Sequence, residues 1–375
     1  MIPYSTQDIN EADIRAVVKT LRSGRLTQGP GIDRFEKALA KKAGTKYAVV
    51  LNSGTAALHA AYFAAGVKKD DEVVVPALTF AATANAALYL GAKPVFADVD
   101  LASGLMTAET ARTKISKKTK VLVPVDYAGR PADYRALRTL AKKHKLILIA
   151  DAAQSLGARY RGKPAAAWAD MAIYSFHPVK SITTAEGGAV VTNNAEYAER
   201  VKLFRSHGIT KDTSRLEHAD EGGWYMEQQA LGYNYRMPDI LASLGESQLK
   251  RLEVFIAKRS AAARRYFSLL KHDVRITLPP ADSADNKSAW HLYTVRVDSR
   301  KRRAAFDALR AAGIGVQVHH IPVHLHPYYQ KLGYTKGSCP NVEAWYASEI
   351  SLPIFARISS AQQARVVRTL RKALA

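Results

Sequence analysis

The chain has 375 residues, 47% hydrophobic and 23% charged, enough for about two domains at roughly 150 residues each and unlike a collagen-like, coiled-coil or largely disordered chain. Its 55 Lys and Arg outnumber its 33 Asp and Glu, a formal net charge of +22 that suits an anionic partner. These basic residues are spread in patches such as Lys41-Lys42, Lys117-Lys118 and Lys301-Arg302-Arg303 without a zinc-finger, basic-region or RNA-binding signature, so solvated faces and a phosphorylated small substrate are expected rather than nucleic acid.

Along the chain, Met1 to Asp8 lacks the basic and apolar regions of a secretory leader. Ile14, Val17, Val18 and Leu21 recur at helical spacing with Gly24 placed as a C-terminal cap, and Ile32, Phe35 and Leu39 repeat the pattern up to Gly44. Apolar runs then read as strands at Tyr47 to Leu51, Glu72 to Pro76, Pro94 to Asp98, Val121 to Val125, Leu146 to Asp151, Met171 to Phe176 and Gly188 to Thr192. Helical segments alternate with them. Each run is apolar nearly throughout, which predicts an α/β fold with a mostly parallel sheet of about seven strands covered by helices on both faces. The apolar stretches near 60–67 and 80–92 are too short or too broken for the ~20 residues of a membrane-spanning helix. The single Cys339 excludes an intrachain disulfide and a cysteine-built metal site, and a cytoplasmic protein is expected.

From Pro238 to about Lys271, Leu241, Leu244, Leu249, Leu252, Phe255 and Ile256 mark one amphipathic helix linking two units. Beyond it, His291 to Val297, a helix around Arg303 to Ala312, Gly315 to His319 read as a strand, and a final helix from Ser360 to Leu374 make a smaller α+β unit. The expected division is a large domain with an N-terminal arm over 1–240, then the linking helix and small C-terminal domain over 241–375.

Three segments carry residues suited to chemistry. Asn52-Ser53-Gly54-Thr55-Ala56-Ala57-Leu58 lies between a strand and a helix, where Gly54 permits close backbone approach and exposed N–H groups face an anion; alternatively Ser53 or Thr55 merely caps the helix. Asp151 ends an apolar strand, the place where a carboxylate points into the crevice of an open α/β sheet, though a loop cap or buried ion pair would read the same. Lys180 follows in a loop of small and hydroxylated residues between two strands. A lysine there is either solvated or an amine able to form an imine with an aldehyde once burial lowers its pKa. Carboxylate, lysine, phosphate cup and aromatic lid together are what pyridoxal phosphate chemistry requires.

As an ordered set, Leu26-Thr27-Gln28-Gly29, Thr79-Phe80-Ala81-Ala82-Thr83-Ala84-Asn85, Asp151-Ala152-Ala153-Gln154-Ser155, Ser175-Phe176-His177 with Lys180, and Gly232-Tyr233-Asn234-Tyr235-Arg236-Met237 resemble the DegT/DnrJ/StrS family of fold-type I sugar aminotransferases. The resemblance covers nearly the whole chain. It implies pyridoxal 5'-phosphate as cofactor, bonded covalently by Lys180, with Asp151 on the pyridinium nitrogen, Gln154 on the ring hydroxyl and Phe80 stacked on the ring. It also implies that Gly54, Thr55 and Ser175 bind the phosphate and that Asn234 reaches the same phosphate from a neighbouring subunit, so that a homodimer shares its active sites. His177 either tunes the cofactor or packs beneath the loop, and packing is the expectation.

Within the family, Val125 to Gly129, Ile182 to Asn193 and Leu203 to Gly208 resemble the branch that aminates C4 of a UDP-linked 2-acetamido-2,6-dideoxy-4-keto-hexose, with L-glutamate as donor, in pseudaminic acid biosynthesis. By position, Tyr4, Gly24, Arg25, Leu26 and Thr27, and His319, His320, Ile321 and Pro322, match that branch's sugar-nucleotide contacts. Ala185 and Ala169 stand where many relatives carry glycine, which leaves a dTDP- or GDP-linked 3- or 4-keto sugar as the rival substrate. Lys180 in place of the histidine of a dehydratase branch argues for transamination, and a non-catalytic cofactor-binding regulator is the reading from another class. His319 and His320, with His324 and His326 nearby, suggest a metal pair, but neighbours on a strand point to opposite faces, so no metal is expected.

Overall fold

The computed structural model describes residues 1–375, and the strand runs form one seven-stranded sheet. Its strands are β1 (Tyr47–Leu51), β2 (Glu72–Pro76), β3 (Lys93–Ala97), β4 (Thr119–Leu122), β5 (Ile147–Asp151), β6 (Met171–Ser175) and β7 (Gly188–Thr192). They lie in the order β1-β7-β6-β5-β4-β2-β3, and β7 alone runs against the others. The unbroken apolar runs have a simple cause. Successive side chains point to opposite faces, and both faces are covered. Val49, Val73, Val75, Val121, Ile149, Ile173 and Val190 enter one core with helix α3 (Gly54–Ala64). Their neighbours Val50, Val74, Leu122, Leu148, Ala172 and Val191 enter the other with helix α2 (Pro30–Ala43). Each buried Val or Ile stabilises the sheet by roughly 1.5–3 kcal/mol as an upper figure.

Helix α1 (Glu11–Leu21) starts at Asn10, whose side chain accepts from the N–H groups of Ala12 and Asp13 while Asp13 reaches back to Asn10. It is capped at Arg22, two residues before the expected Gly24, which instead takes a left-handed turn at φ +73 after the helix has ended. Gly44 does cap α2, at φ +67.

A third core joins Ala262, Tyr266, Tyr293, Val295, Leu309, Ile350, Leu352, Val366 and Leu370. It is built on the antiparallel pair β8 (Tyr293–Arg296) and β9 (Glu349–Leu352), with helices Ser299–Ala311 and Ser360–Ala373. Ile2 completes this core: its N–H donates to the Gly313 carbonyl at 2.9 Å and its carbonyl accepts from Gly315 N at 2.7 Å. Further along the arm, Ile354 N donates to the Tyr4 carbonyl, and the Asp8 carboxylate meets Arg251 and Arg357. No helix is long and apolar enough to cross a membrane.

Two expectations from periodicity fail here. The linking segment is two helices, Asp239–Leu249 and Leu252–Leu270. They part at Arg251, which leaves helical geometry (φ −104, ψ 4) as its guanidinium turns to the carboxylates of Asp8 and Asp13. Gly315 to His319 is not a strand, because the N-terminal arm takes its first hydrogen bond and only Gln317 bridges to Ser351.

Candidate active site

The carboxyl ends of the parallel strands open onto a cavity of about 420 Å³, the crevice at which open α/β sheets bind ligands. After β1 the chain turns through Ser53, whose Oγ accepts from Ala56 N at 3.0 Å, and enters α3 with Gly54 and Thr55 on the cavity wall. Glycine is favoured at Gly54 on this wall and required at Gly188 just behind it. A Cβ on Gly54 would stand 3.0 Å from Ser175 Cβ, and one on Gly188 would stand 2.4 Å from the Ser53 carbonyl oxygen. The first turn of α3 is thereby pressed against the ends of β6 and β7, and its free N–H groups form a seat for an anion.

Asp151, at the end of β5, is 5% exposed. Its carboxylate accepts from Thr83 Oγ1 at 2.6 Å and from Ala153 N at 3.2 Å, and Thr83 Oγ1 is in turn 2.7 Å from Thr79 Oγ1. Burial raises the Asp151 pKa, opposed by the Thr83 and Ala153 hydrogen bonds and by Lys180. Lys180 stands on the same cavity, in a loop held by Thr183 Oγ1 donating to the Phe176 carbonyl and by its own N–H donating to His177 O at 2.9 Å. Burial draws its ammonium down to about 8, against the pull of Asp151. An amine so lowered is a nucleophile close to neutral pH. Gln154 Oε1 accepts from Ala128 N at 2.7 Å, so its amide NH₂ is the group left to face the cavity.

At the rim, Phe80 is 62% exposed and meets His320 edge-on at 6.0 Å, while Tyr4 lies 5.7 Å from the His319 ring. His319 and His320 both line the cavity, joined by a cis peptide. The divergence expected of neighbouring strand residues is absent because this segment is not a strand. His324 is fully buried and bonds Glu343 at 2.9 Å, and no cluster of three potential metal ligands forms. His177 does not pack beneath the loop: Phe176 fills the core position, and His177 is turned outward onto the cavity.

The structure thus brings Gly54, Thr55, Phe80, Asp151, Gln154, Ser175, Lys180, Tyr4, His319 and His320 onto one cavity. Asn234, Gly24, Leu26, Thr27, Ile321 and Pro322 do not line it in this chain, and Arg25 lies on a separate cavity of about 290 Å³ with Arg205 and Arg236. The sequence reading gave no role to Thr79, Thr83 or His291. The first two were signalled by hydroxyls four residues apart in an apolar stretch; His291 carried no local signal.

A sequence model of the DegT/DnrJ/EryC1/StrS aminotransferase family matches residues 7–371. The chain belongs to this family. A relative in Campylobacter jejuni, a UDP-4-amino-4,6-dideoxy-N-acetyl-beta-L-altrosamine transaminase, is 40% identical over 359 residues, 94% of this chain and 92% of the relative. Among solved structures, an aminotransferase of pseudoaminic acid biosynthesis from Helicobacter pylori superposes with a TM-score of 0.93 at 33% identity, covering 100% of this chain and 99% of the other. A putative sugar aminotransferase from Streptococcus pneumoniae, solved in PMP and PLP forms, gives 0.93 at 33% and 32% identity, covering 100% and 99% of this chain and 99% and 98% of the others. This family member is a sugar aminotransferase that uses pyridoxal phosphate. The donor set suits that cofactor: an amine drawn toward neutrality, a buried carboxylate, a free amide NH₂ and a helix N-terminus on one cavity.

Proposed function

We propose that this enzyme moves the amino group of L-glutamate to C4 of a UDP-linked 2-acetamido-2,6-dideoxy-4-keto-hexose, giving the UDP-4-amino sugar and 2-oxoglutarate. The observation that carries the reaction is the placing of Lys180 and Asp151 on one cavity, each shifted by burial toward its neutral form. The transaminase name of the 40%-identical relative supports the sugar. When bound, pyridoxal phosphate supplies the aldehyde that takes up an amino group and the ring that draws electrons from the adjoining carbon.

The chain's own residues do the rest. Lys180 Nζ would hold the cofactor and, as a free amine, would take the proton from the α-carbon of glutamate. Asp151, its carboxylate held in place by Thr83, would keep a proton on the ring nitrogen. The Gln154 amide would donate to the ring hydroxyl, Phe80 would cover the ring, and Gly54, Thr55 and Ser175 would hold the phosphate at the N-terminus of α3. Tyr4, His319 and His320 border the sugar. Asn234, Arg25 and their neighbours act from a second copy of the chain, which makes the working form a homodimer.

The test is a panel of UDP-, dTDP- and GDP-linked 3- and 4-keto sugars with glutamate, read by mass of the aminated sugar and by 2-oxoglutarate released. The UDP-linked 4-keto N-acetyl sugar should be turned over with the highest kcat/KM. A tenfold preference for another nucleotide or for a C3 ketone would overturn the substrate.

A further inference from the structure

Behind His319 lies a buried carboxyl that the reaction above does not use. Glu349, at the start of β9, is 0% exposed and has no cationic side chain within ion-pair distance. Arg296, its cross-strand partner, stacks on Trp345 instead, and Arg302 donates to the Ala347 carbonyl. What Glu349 does contact is the cavity rim. One oxygen accepts from the His319 backbone N–H at 2.9 Å, and the other is 2.5 Å from Ser351 Oγ, which is itself 2.8 Å from His319 Nδ1. Tyr127, donating to the His319 carbonyl, fixes the same residue from the other side. His319 Nε2 has no partner in the chain and is not among the fully buried unpaired atoms, so it is the nitrogen turned to the cavity.

We propose that Glu349 is a positioning residue that, through the Ser351 hydroxyl, sets which nitrogen of His319 carries the proton and hence whether Nε2 donates or accepts a hydrogen bond at the substrate. The proton count fixes the alternatives. With Glu349 ionised, Ser351 donates to the carboxylate and accepts from His319 Nδ1–H, which leaves Nε2 bare. With Glu349 neutral, its O–H donates to Ser351, Ser351 donates to Nδ1, and the ring proton sits on Nε2. Burial pushes the Glu349 carboxyl up to about 8, opposed by Ser351, the His319 N–H and the charge of Arg302. The His319 ring itself stays uncharged: burial and then Lys180 lower it to about 4. Below about pH 8 the rim therefore presents a donor, which suits the acceptor oxygens of a nucleotide sugar; above it the rim presents an acceptor. The other groups facing this pair are Tyr4, Tyr127, His291 and His320.

The effect on substrate rests on the reading that the keto sugar enters this cavity; the effect on His319 does not. The two are separated by measuring ¹⁵N resonances of histidine-labelled holoenzyme without sugar, from pH 6.5 to 9, with His319 assigned by its loss in His319→Gln. In the unsubstituted enzyme Nε2 should pass from the resonance of a protonated nitrogen to that of a bare one, and Nδ1 the reverse. Glu349→Gln, whose amide NH₂ still donates to Ser351, should keep the proton on Nε2 throughout, and Ser351→Ala should uncouple the ring from pH. The KM for the sugar should rise about fivefold from pH 7 to 9, the worth of one ordinary hydrogen bond, and stay flat in Glu349→Gln. The same His319 tautomer in the unsubstituted enzyme and in folded Glu349→Gln at every pH would overturn the relay. Coupled tautomers with no turnover of any UDP-linked sugar would support it and count against the proposed substrate alone.

Discussion

The two ends of the cavity are built differently. At the inner end, Asp151, Ser175 and Gly54 sit where strands of one sheet stop, and Lys180 lies on the loop that directly follows; Thr83 and the Ala153 N–H hold the carboxylate. At the outer end, Tyr4 comes from the N-terminal arm and His319 and His320 from a segment with no regular structure, while Arg25 and Asn234 lie off the cavity of their own chain. A rigid sheet places the groups proposed to meet one invariant cofactor. Loops, and for Arg25 a second copy in the proposed dimer, place those proposed to meet the variable sugar, while Asn234 of that copy reaches the cofactor's phosphate in the same proposal.

Lys180→Met should produce the largest effect, loss of turnover on the order of 10⁴-fold or more with both substrates, because it removes the inner end's nucleophile and base. The same change should raise the melting temperature of the cofactor-free protein at pH 7. The lysine's folded pKa, about 8, lies below its ordinary 10.5, so its favourable contribution exists only at high pH and is lost as pH falls through about 8. Retained turnover would break the assignment of the inner end. Next comes Thr83→Val, which leaves the Asp151 carboxylate short of a buried hydrogen bond; turnover should fall roughly 10- to 100-fold, with a matching shift in the pH titration of the visible spectrum. An unchanged spectrum would show that the hydroxyl pair is only core filling. Smallest is Arg25→Ala, expected to raise KM for the sugar nucleotide about tenfold with KM for glutamate within about twofold, since only the sugar carries a diphosphate. Equal damage to both half-reactions would erase the division between the two ends.

How much of this was legible in the sequence follows the same line. The bounds of β1, β2 and β7 agree residue for residue with the apolar runs, since a strand buried on both faces leaves an uninterrupted signal. The break at Arg251 was invisible, because Leu249, Leu252 and Phe255 keep the apolar rhythm going while the cause, Asp8 and Asp13, lies some 240 residues away. In the site, Asp151 and Lys180 could be read from local context and from the resemblance. Glu349 could not: a glutamate that opens a short strand looks like any solvated one until the fold seats it behind His319.

The N-terminal arm has a consequence for biosynthesis. Ile2 is held by Gly313 and Gly315, Tyr4 by Ile354, and Asp8 by Arg357, so the arm cannot settle until partners up to 349 residues further along the chain have emerged. At ~5–20 residues per second that wait is about 20–70 s. The central sheet, whose strands end by Thr192, can form in the interval. A nascent chain stalled before Ile354 would carry the lysine and carboxylate of the inner end but lack the Tyr4 wall, so the arrival of the segment from Gly313 to Arg357, rather than sheet formation, is the event that closes the cavity.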